Sequence, residues 1–230
     1  SELNTEFVNI VTVEDPVEAN IPGINQVQVN VKANMTFANA LRSILRQDPD
    51  IIMIGEIRDE ETANIAVTAS ITGHLVVSTL HTNSSSASIT RLVDMGLDSY
   101  LIADSVVGVI AQRLARRLCS CKVPHEATEE EKRIIRVPQD QNITIYGPGG
   151  CNQCNFTGYR GRIGVYEMMT VTRKIKNIIA AKGNTEDIEK VAIEEGMSTL
   201  HSSAARLVRE GVTSIDELRR IVFSNDEEDL

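Results

Sequence analysis

The sequence predicts an α/β fold in which a parallel sheet is flanked by helices. Short apolar runs at residues 8–13, 51–54 and 74–80 are rich in β-branched side chains, as expected of strands covered on both faces. Amphipathic or alanine-rich stretches separate them, and parallel strands are joined by crossovers of this kind. Helix stop signals fall between the two, at Asp48-Pro49, Gly73 and Gly96.

Taken in order, the first run ends at Glu14-Asp15-Pro16, where proline cannot continue a central strand. Residues 27–31 alternate valine with polar side chains and predict a half-exposed strand. Phe37, Leu41, Ile44 and Leu45 share one face of a helix. Residues 60–72 form the next predicted helix, and residues 84–95 another, with serines available for its cap. A longer helix is expected over residues 100–118, its basic end (Arg113, Arg116, Arg117) complementing the helix dipole. Residues 119–164 change texture to cysteine and glycine, with a short helix after the capping pattern Thr128-x-x-Glu131. From residue 172 the pattern is helical, and Ser214-x-x-Glu217 caps a last helix ending near Phe223. The acidic run 224–230 predicts a frayed terminus. These changes divide the chain into residues 1–118, 119–164 and 165–230.

The chain has 230 residues and a formal net charge of -9, a balance that argues against nucleic acid as the main partner. No apolar run approaches the ~20 residues of a membrane span and no signal peptide opens the chain, so the expectation is a cytoplasmic protein that meets a membrane only through partners. It begins Ser-Glu-Leu-Asn without a methionine, as a fragment would.

Three predicted strands end in groups with chemistry: Glu14 with Asp15, then Glu56, then His81. In a parallel sheet these ends converge on the edge where ligands bind, where carboxylates can hold hydrated Mg²⁺ and a base can orient water. Arg58 is a natural ion-pair partner for Glu56. His74 and His81 stand seven positions apart, about 23 Å along a straight strand and on opposite faces, so they cannot serve one site. His81 is assigned to the crevice and His74 to a turn or a subunit contact. Cys119-x-Cys121 and Cys151-x-x-Cys154 make a complete thiolate set for structural Zn²⁺, although the first half is one residue shorter than the common spacing and should strain the geometry. His125 and His201 fall outside that pattern.

Four stretches, in order, carry a family resemblance. Val13-Glu14-Asp15-Pro16-Val17-Glu18, Asp48-Pro49-Asp50 through Gly55-Glu56-Ile57-Arg58-Asp59, Thr72-Gly73-His74 through Ser78-Thr79-Leu80-His81-Thr82-Asn83, and Gly158-Tyr159-x-Gly161-Arg162-x-Gly164 closely resemble the traffic ATPases of type II secretion and type IV pilus assembly. The resemblance implies a RecA-like domain working in a homo-hexamer. It implies Glu14 as the residue that polarises the attacking water, Asp15 as its neighbour in the acidic box, Glu56 as the Walker B carboxylate acting on Mg²⁺ through water, and His81 as a sensor of the terminal phosphate of ATP. Arg58 and Asp59 are implied to tie the Walker B turn in place or to reach across subunits. A four-cysteine zinc subdomain is implied by secretion and pilus-extension members, and an inner-membrane platform protein by the machines they drive.

A nucleotide site also needs a phosphate cradle, G-x-x-x-x-G-K-[ST] leading into a helix, and no stretch here matches it. Gly147-Pro-Gly-Gly150 lacks the lysine and reads as a turn. The resemblance puts the phosphate loop and the arginine fingers upstream, so this chain by itself is expected not to turn over ATP and to assemble weakly. Two other readings stand beside the motor: a non-catalytic, zinc-stabilised interaction module, and a DNA-dependent RecA-like ATPase suggested by Arg113, Arg116, Arg117, Arg160 and Arg162.

Overall fold

The computed structural model describes residues 2–223; the acidic run 224–230, and the fraying expected of it, lie outside the described residues. Strands β1 (Ile10–Glu14), β2 (Asn25–Gln28), β3 (Ile51–Ile54) and β4 (Leu75–Ser78) form a parallel sheet in the order β2-β1-β3-β4. Val13 stands opposite Ile54, and Ile54 opposite Ser78, so the carboxyl ends of β1, β3 and β4 are level. Val13, Ile52 and Ile54 are fully buried, each side chain contributing about 1.5–3 kcal/mol. β4 is an edge of this sheet, and Leu75 and Val77 are exposed on it at 46% and 48%.

Side-chain oxygens cap the first two helices. Thr36 accepts from the Asn39 N–H at the start of α1 (Phe37–Ile44), and Asp59 from the Thr62 N–H, at 2.7 Å, at the start of α2 (Glu60–Ile71). α2 buries small residues, Ala63, Ala66 and Ala69, and gives way to Gly73 in the left-handed region at φ 110°. His74 stands outside β4: its Nδ1 lies 2.9 Å from the Ala69 carbonyl, where it closes the end of α2. α3 (Ser85–Asp94) and α4 (Ser99–Ser105) follow. The second expected strand is shorter and earlier than its valines suggested. It ends at Gln28, and Val31–Ala33 forms a turn of 3-10 helix capped by Asn30.

The helix expected over residues 100–118 is not one helix. α4 stops at Ser105, and residues 108–118 form β5 (Gly108–Leu118). The buried positions Ala111, Ala115 and Leu118 mimic a helical face by their spacing of four and three. On a strand, Ala111 and Ala115 share a face because their separation is even, and a bulge between Arg116 and Leu118 returns Leu118 to it. The arginines therefore sit on a strand, and the dipole explanation for them falls.

β5 pairs antiparallel with β8 (Tyr159–Thr170), Gly108 opposite Thr170. Between them come β6 (Val123–Glu126), α5 (Glu129–Ile134) and β7 (Thr144–Gly147). The capping box at Thr128 and Glu131 forms in both directions. After β8 come α6 (Arg173–Ala180), α7 (Thr185–Glu194), α8 (Leu200–Arg209) and α9 (Ile215–Phe223). Contacts divide the chain into a first unit of Ser1–Thr82, Ser86–Val107 and Val171–Val191, and a second of Asn83–Ser85, Gly108–Thr170 and Ala192–Leu230. The second unit has its own core, in which Ala115, Ile135, Ile145, Ala204 and Val208 are wholly buried.

Glu217 departs from its expected use. Its backbone N–H still meets the Ser214 hydroxyl, at 3.4 Å, but its carboxylate turns away from the helix start. The carboxylate, 1% exposed, accepts from the Arg116 N–H at 2.6 Å, from the Arg116 guanidinium at 2.8 and 2.9 Å, and from Arg220 at 3.0 Å. This hydrogen bonding raises the Arg116 pKa above its ordinary value. Arg116 also lies 4.1 Å over the Tyr159 ring. Glu217→Gln is expected to cost about 2 kcal/mol, the worth of a charge-assisted hydrogen bond, because the arginines it releases can turn to water. Urea unfolding measures this; an unchanged midpoint would make the cluster ornamental.

Candidate functional site

The level carboxyl ends of β1, β3 and β4 bring Glu14, Glu56 and His81 to one edge of the parallel sheet. Glu14 is the last residue of β1. Its Oε1 accepts from the Thr12 hydroxyl at 2.5 Å and from Gln26 Nε2 at 3.0 Å. Thr12 is two residues back on the same face, and Gln26 is the register partner of Thr12 on β2. Two donors thus fix one oxygen of Glu14 and leave Oε2 to accept from something else.

Glu56 stands just beyond β3, its side chain 12% exposed. Oε1 pairs with the Arg58 guanidinium, and Oε2 is 3.4 Å from His81 Nε2. Gly55 brings this turn close to β1. Its N–H donates to the Val13 carbonyl at 2.7 Å, and a Cβ there would come within 3.2 Å of that carbonyl and 3.4 Å of Glu14 Cα. Any side chain in place of Gly55 would press on the Val13 carbonyl, which gives a physical reason for the glycine before Glu56. The turn after β4 is tied to the same place, with the Thr79 hydroxyl donating to the Gly55 carbonyl at 2.6 Å. Asp15 is exposed and lines an open cleft of about 480 Å³ with Gln28, Asn30 and Lys32; neither Glu56 nor His81 reaches that cleft.

The edge can hold a hydrated divalent cation. A carboxylate has roughly four lone-pair positions, so Glu56 keeps acceptor capacity for a metal-bound water beside Arg58 and His81. Sequence reasoning missed Thr12 and Gln26, although a threonine two residues before a strand-end glutamate was a usable signal.

The second centre is the thiol cluster. The Sγ atoms of Cys119, Cys121, Cys151 and Cys154 all lie within 4.8 Å of one another. Cys119–Cys151, Cys121–Cys154 and Cys151–Cys154 are each 3.8 Å apart. Four sulfurs at about 2.3 Å from one ion would form a tetrahedron with edges of about 3.8 Å, so both the donor set and its spacing fit tetrahedral Zn²⁺. The shorter Cys119-x-Cys121 half does not spread the sulfurs; a tight turn, with the Lys122 N–H on the Cys119 carbonyl at 3.0 Å, brings them in. That turn needs Gly149, where a Cβ would fall 2.0 Å from the Cys121 carbonyl oxygen.

The backbone shapes the charge of the cluster. Burial opposes ionisation of Cys154, but N–H groups of Cys151 and Gly158, at 3.4 and 3.3 Å from its sulfur, bring the thiol down to about 6. The Cys121 backbone lowers the Cys119 thiol, while burial and then the neighbouring thiols push Cys121 up to about 12. Four thiolates so close repel one another unless a cation lies among them.

The chain matches the family described as "Type II/IV secretion system protein" over residues 1–220. It is 47% identical over 221 residues to the type II secretion system ATPase E of Vibrio cholerae, covering 96% of this chain and 44% of that protein. It is 52% identical over 224 residues to the type IV pilus assembly ATPase PilB of Acinetobacter baylyi, covering 95% of this chain and 38% of that protein. Among solved structures, the pilus retraction motor PilT with bound ADP matches with a TM-score of 0.68 and 27% identity, over 97% of this chain and 54% of that one. The chain thus spans less than half the length of these two curated relatives. With the order of its motifs, its parallel sheet and its cysteine cluster all in accord, the chain belongs to the type II/IV secretion system protein family.

Proposed function

We propose that this chain is the water-activating and metal-holding part of a motor ATPase that drives type II secretion or type IV pilus assembly. The observation that supports the reading is that β1, β3 and β4 end level, with Glu14 closing β1 and Glu56 just beyond β3 beside His81. In this reading Glu14, held by Thr12 and Gln26, accepts a proton of the attacking water and aims its oxygen at the terminal phosphorus. Phosphoryl transfer depends mainly on such positioning and on electrostatic stabilisation. Water adds to that phosphorus as its bond to the ADP oxygen breaks, giving ADP and inorganic phosphate. Glu56 would hold Mg²⁺ through water; the bound ion offsets charge on the phosphate oxygens. Asp15 flanks Glu14, Arg58 orients Glu56, and His81 responds to the terminal phosphate. The phosphate cradle comes from elsewhere in the whole protein.

Cys119, Cys121, Cys151 and Cys154 hold a structural Zn²⁺ that leaves no open position for chemistry. Residues 1–118, 119–164 and 165–230 serve as ATPase, zinc and helical parts. The whole protein works as a cytoplasmic homo-hexamer against an inner-membrane platform protein. No helix among the described residues is long and apolar enough to cross a membrane.

The test is the Mg²⁺ dependence of ATP turnover in the full-length protein. Glu56→Gln is expected to raise the Mg²⁺ concentration for half-maximal rate by about tenfold or more, since the neutral amide loses the charge that attracts the ion. An unaltered Mg²⁺ dependence would remove Glu56 from the metal.

A further inference from the structure

The Gln26 amide is used at both of its ends. It stands on β2, an edge strand of the parallel sheet, opposite Thr12. Its Nε2 donates to Glu14 Oε1 and to the Ala19 carbonyl, each at 3.0 Å, and its Oε1 accepts from the Ile21 N–H at 2.8 Å. Two acceptors face the nitrogen and one donor faces the oxygen, so a single orientation of the amide satisfies all three partners. A glutamate here would offer acceptors without donors, and a lysine donors without an acceptor.

Ala19 and Ile21 belong to the segment that joins β1 to β2. These strands are parallel, with Val11 opposite Asn25 and Glu14 opposite Gln28, so residues 15–24 lead from the carboxyl end of one strand back to the amino end of the other. They do so without a helix, which leaves their backbone groups to side chains or water. Gln28 Oε1 accepts from the Val17 N–H at 3.4 Å, Asn4 donates to the Pro22 carbonyl at 2.9 Å, and Gln26 holds Ala19 and Ile21 between them. Gln26 is the member of this set that is also hydrogen-bonded to the Glu14 carboxylate. Thr12, the other donor to that oxygen, lies on β1 itself and moves with Glu14. We infer that Gln26 is a positioning residue for Glu14 through which the segment 15–24 governs the carboxylate: the loop sets the plane of the amide, and the amide sets where Glu14 Oε2 points. A displacement of Ala19 or Ile21 is thereby delivered to Glu14. The inference rests on the reading of Glu14 as the residue that activates water.

Kinetics and hydrogen exchange of the full-length protein test it. Gln26→Leu is expected to lower kcat for ATP about tenfold, with KM changed less than about twofold, because a displacement of about 1 Å can cost up to 10²-fold. In a Glu14→Gln background the same change should add less than about twofold. Losses that multiply overturn the inference, since Gln26 would then act apart from Glu14. A slow Glu14→Gln protein beside a normal Gln26→Leu protein overturns the positioning role alone and leaves the site reading standing; a normal Glu14→Gln protein overturns both. Gln26→Glu separates holding the loop from holding Glu14, because it keeps an oxygen for the Ile21 N–H and turns an acceptor toward the carboxylate. It should be as slow as the leucine variant while the Ile21 amide stays protected, whereas in Gln26→Leu that amide should exchange at least about tenfold faster, with those of β3 unchanged. A Gln26→Glu protein of normal rate would make Gln26 a brace for the loop and overturn the inference, as would a uniform rise in exchange across the sheet. Ile21→Pro removes the N–H from the loop side and should lower kcat about threefold with Gln26 in place; a normal rate there overturns control by the loop. Should Gln26→Leu fail to fold, Gln26→Glu carries the same kinetic predictions.

Discussion

Replacing Glu14 with glutamine in the full-length protein is expected to lower ATP turnover by about 10² or more while leaving nucleotide affinity within about threefold. Glutamine keeps an oxygen for Thr12 and Gln26, so the change removes basicity without dismantling the strand end. A fluorescent ATP analogue measures binding, and a coupled assay measures turnover. Loss of both together would make Glu14 a binding residue; loss of neither would move the water-orienting role elsewhere.

The second large effect concerns the thiol centre. Purified without chelators, the protein is expected to carry one Zn per chain, and stripping it should unfold the second unit around the cluster. Structural zinc binding is worth about 10–16 kcal/mol, as much as the whole stability of a typical domain, about 5–15 kcal/mol. The pH dependence has a definite sign. Without a cation, four thiols packed within 4.8 Å of one another cannot all be ionised at once, so the metal-free site keeps protons that the loaded site does not. Zinc must displace those protons, so binding releases at least one proton and tightens as pH rises. Calorimetry in buffers of different ionisation enthalpy counts it. A release of zero would contradict a four-thiolate site, as would metal content well below one per chain.

What could be read from the sequence follows the range of the forces involved. β1 and β3 were legible because a continuous β-branched run is a local signal, and so was the cap at Thr128, whose donor lies within one turn. The thiol set was legible because its ligands come in two short pairs. β5 was not, because a strand with one bulge reproduces helical spacing at Ala111, Ala115 and Leu118. Pairing with β8, which arrives some fifty residues later, decides between the two. Glu217 was half read: Ser214 does cap its N–H, but Arg116 outbids the helix start for its carboxylate. Gln26 and Glu167 could not be read at all. One reaches Glu14 only through strand register, and the other meets Ser85 across 82 positions of chain.

The open edge at β4 has a practical consequence for the chain as a material. Leu75-Val76-Val77-Ser78 carries no charge to repel a second strand, and the half-exposed Leu75 and Val77 reward its arrival. Two molecules that meet there can continue one another's hydrogen-bond ladder, and the contact grows with concentration without changing the fold. Colloidal behaviour is thereby tied to sheet topology, and Val77→Lys, by placing a charge on that edge, is expected to weaken such pairing.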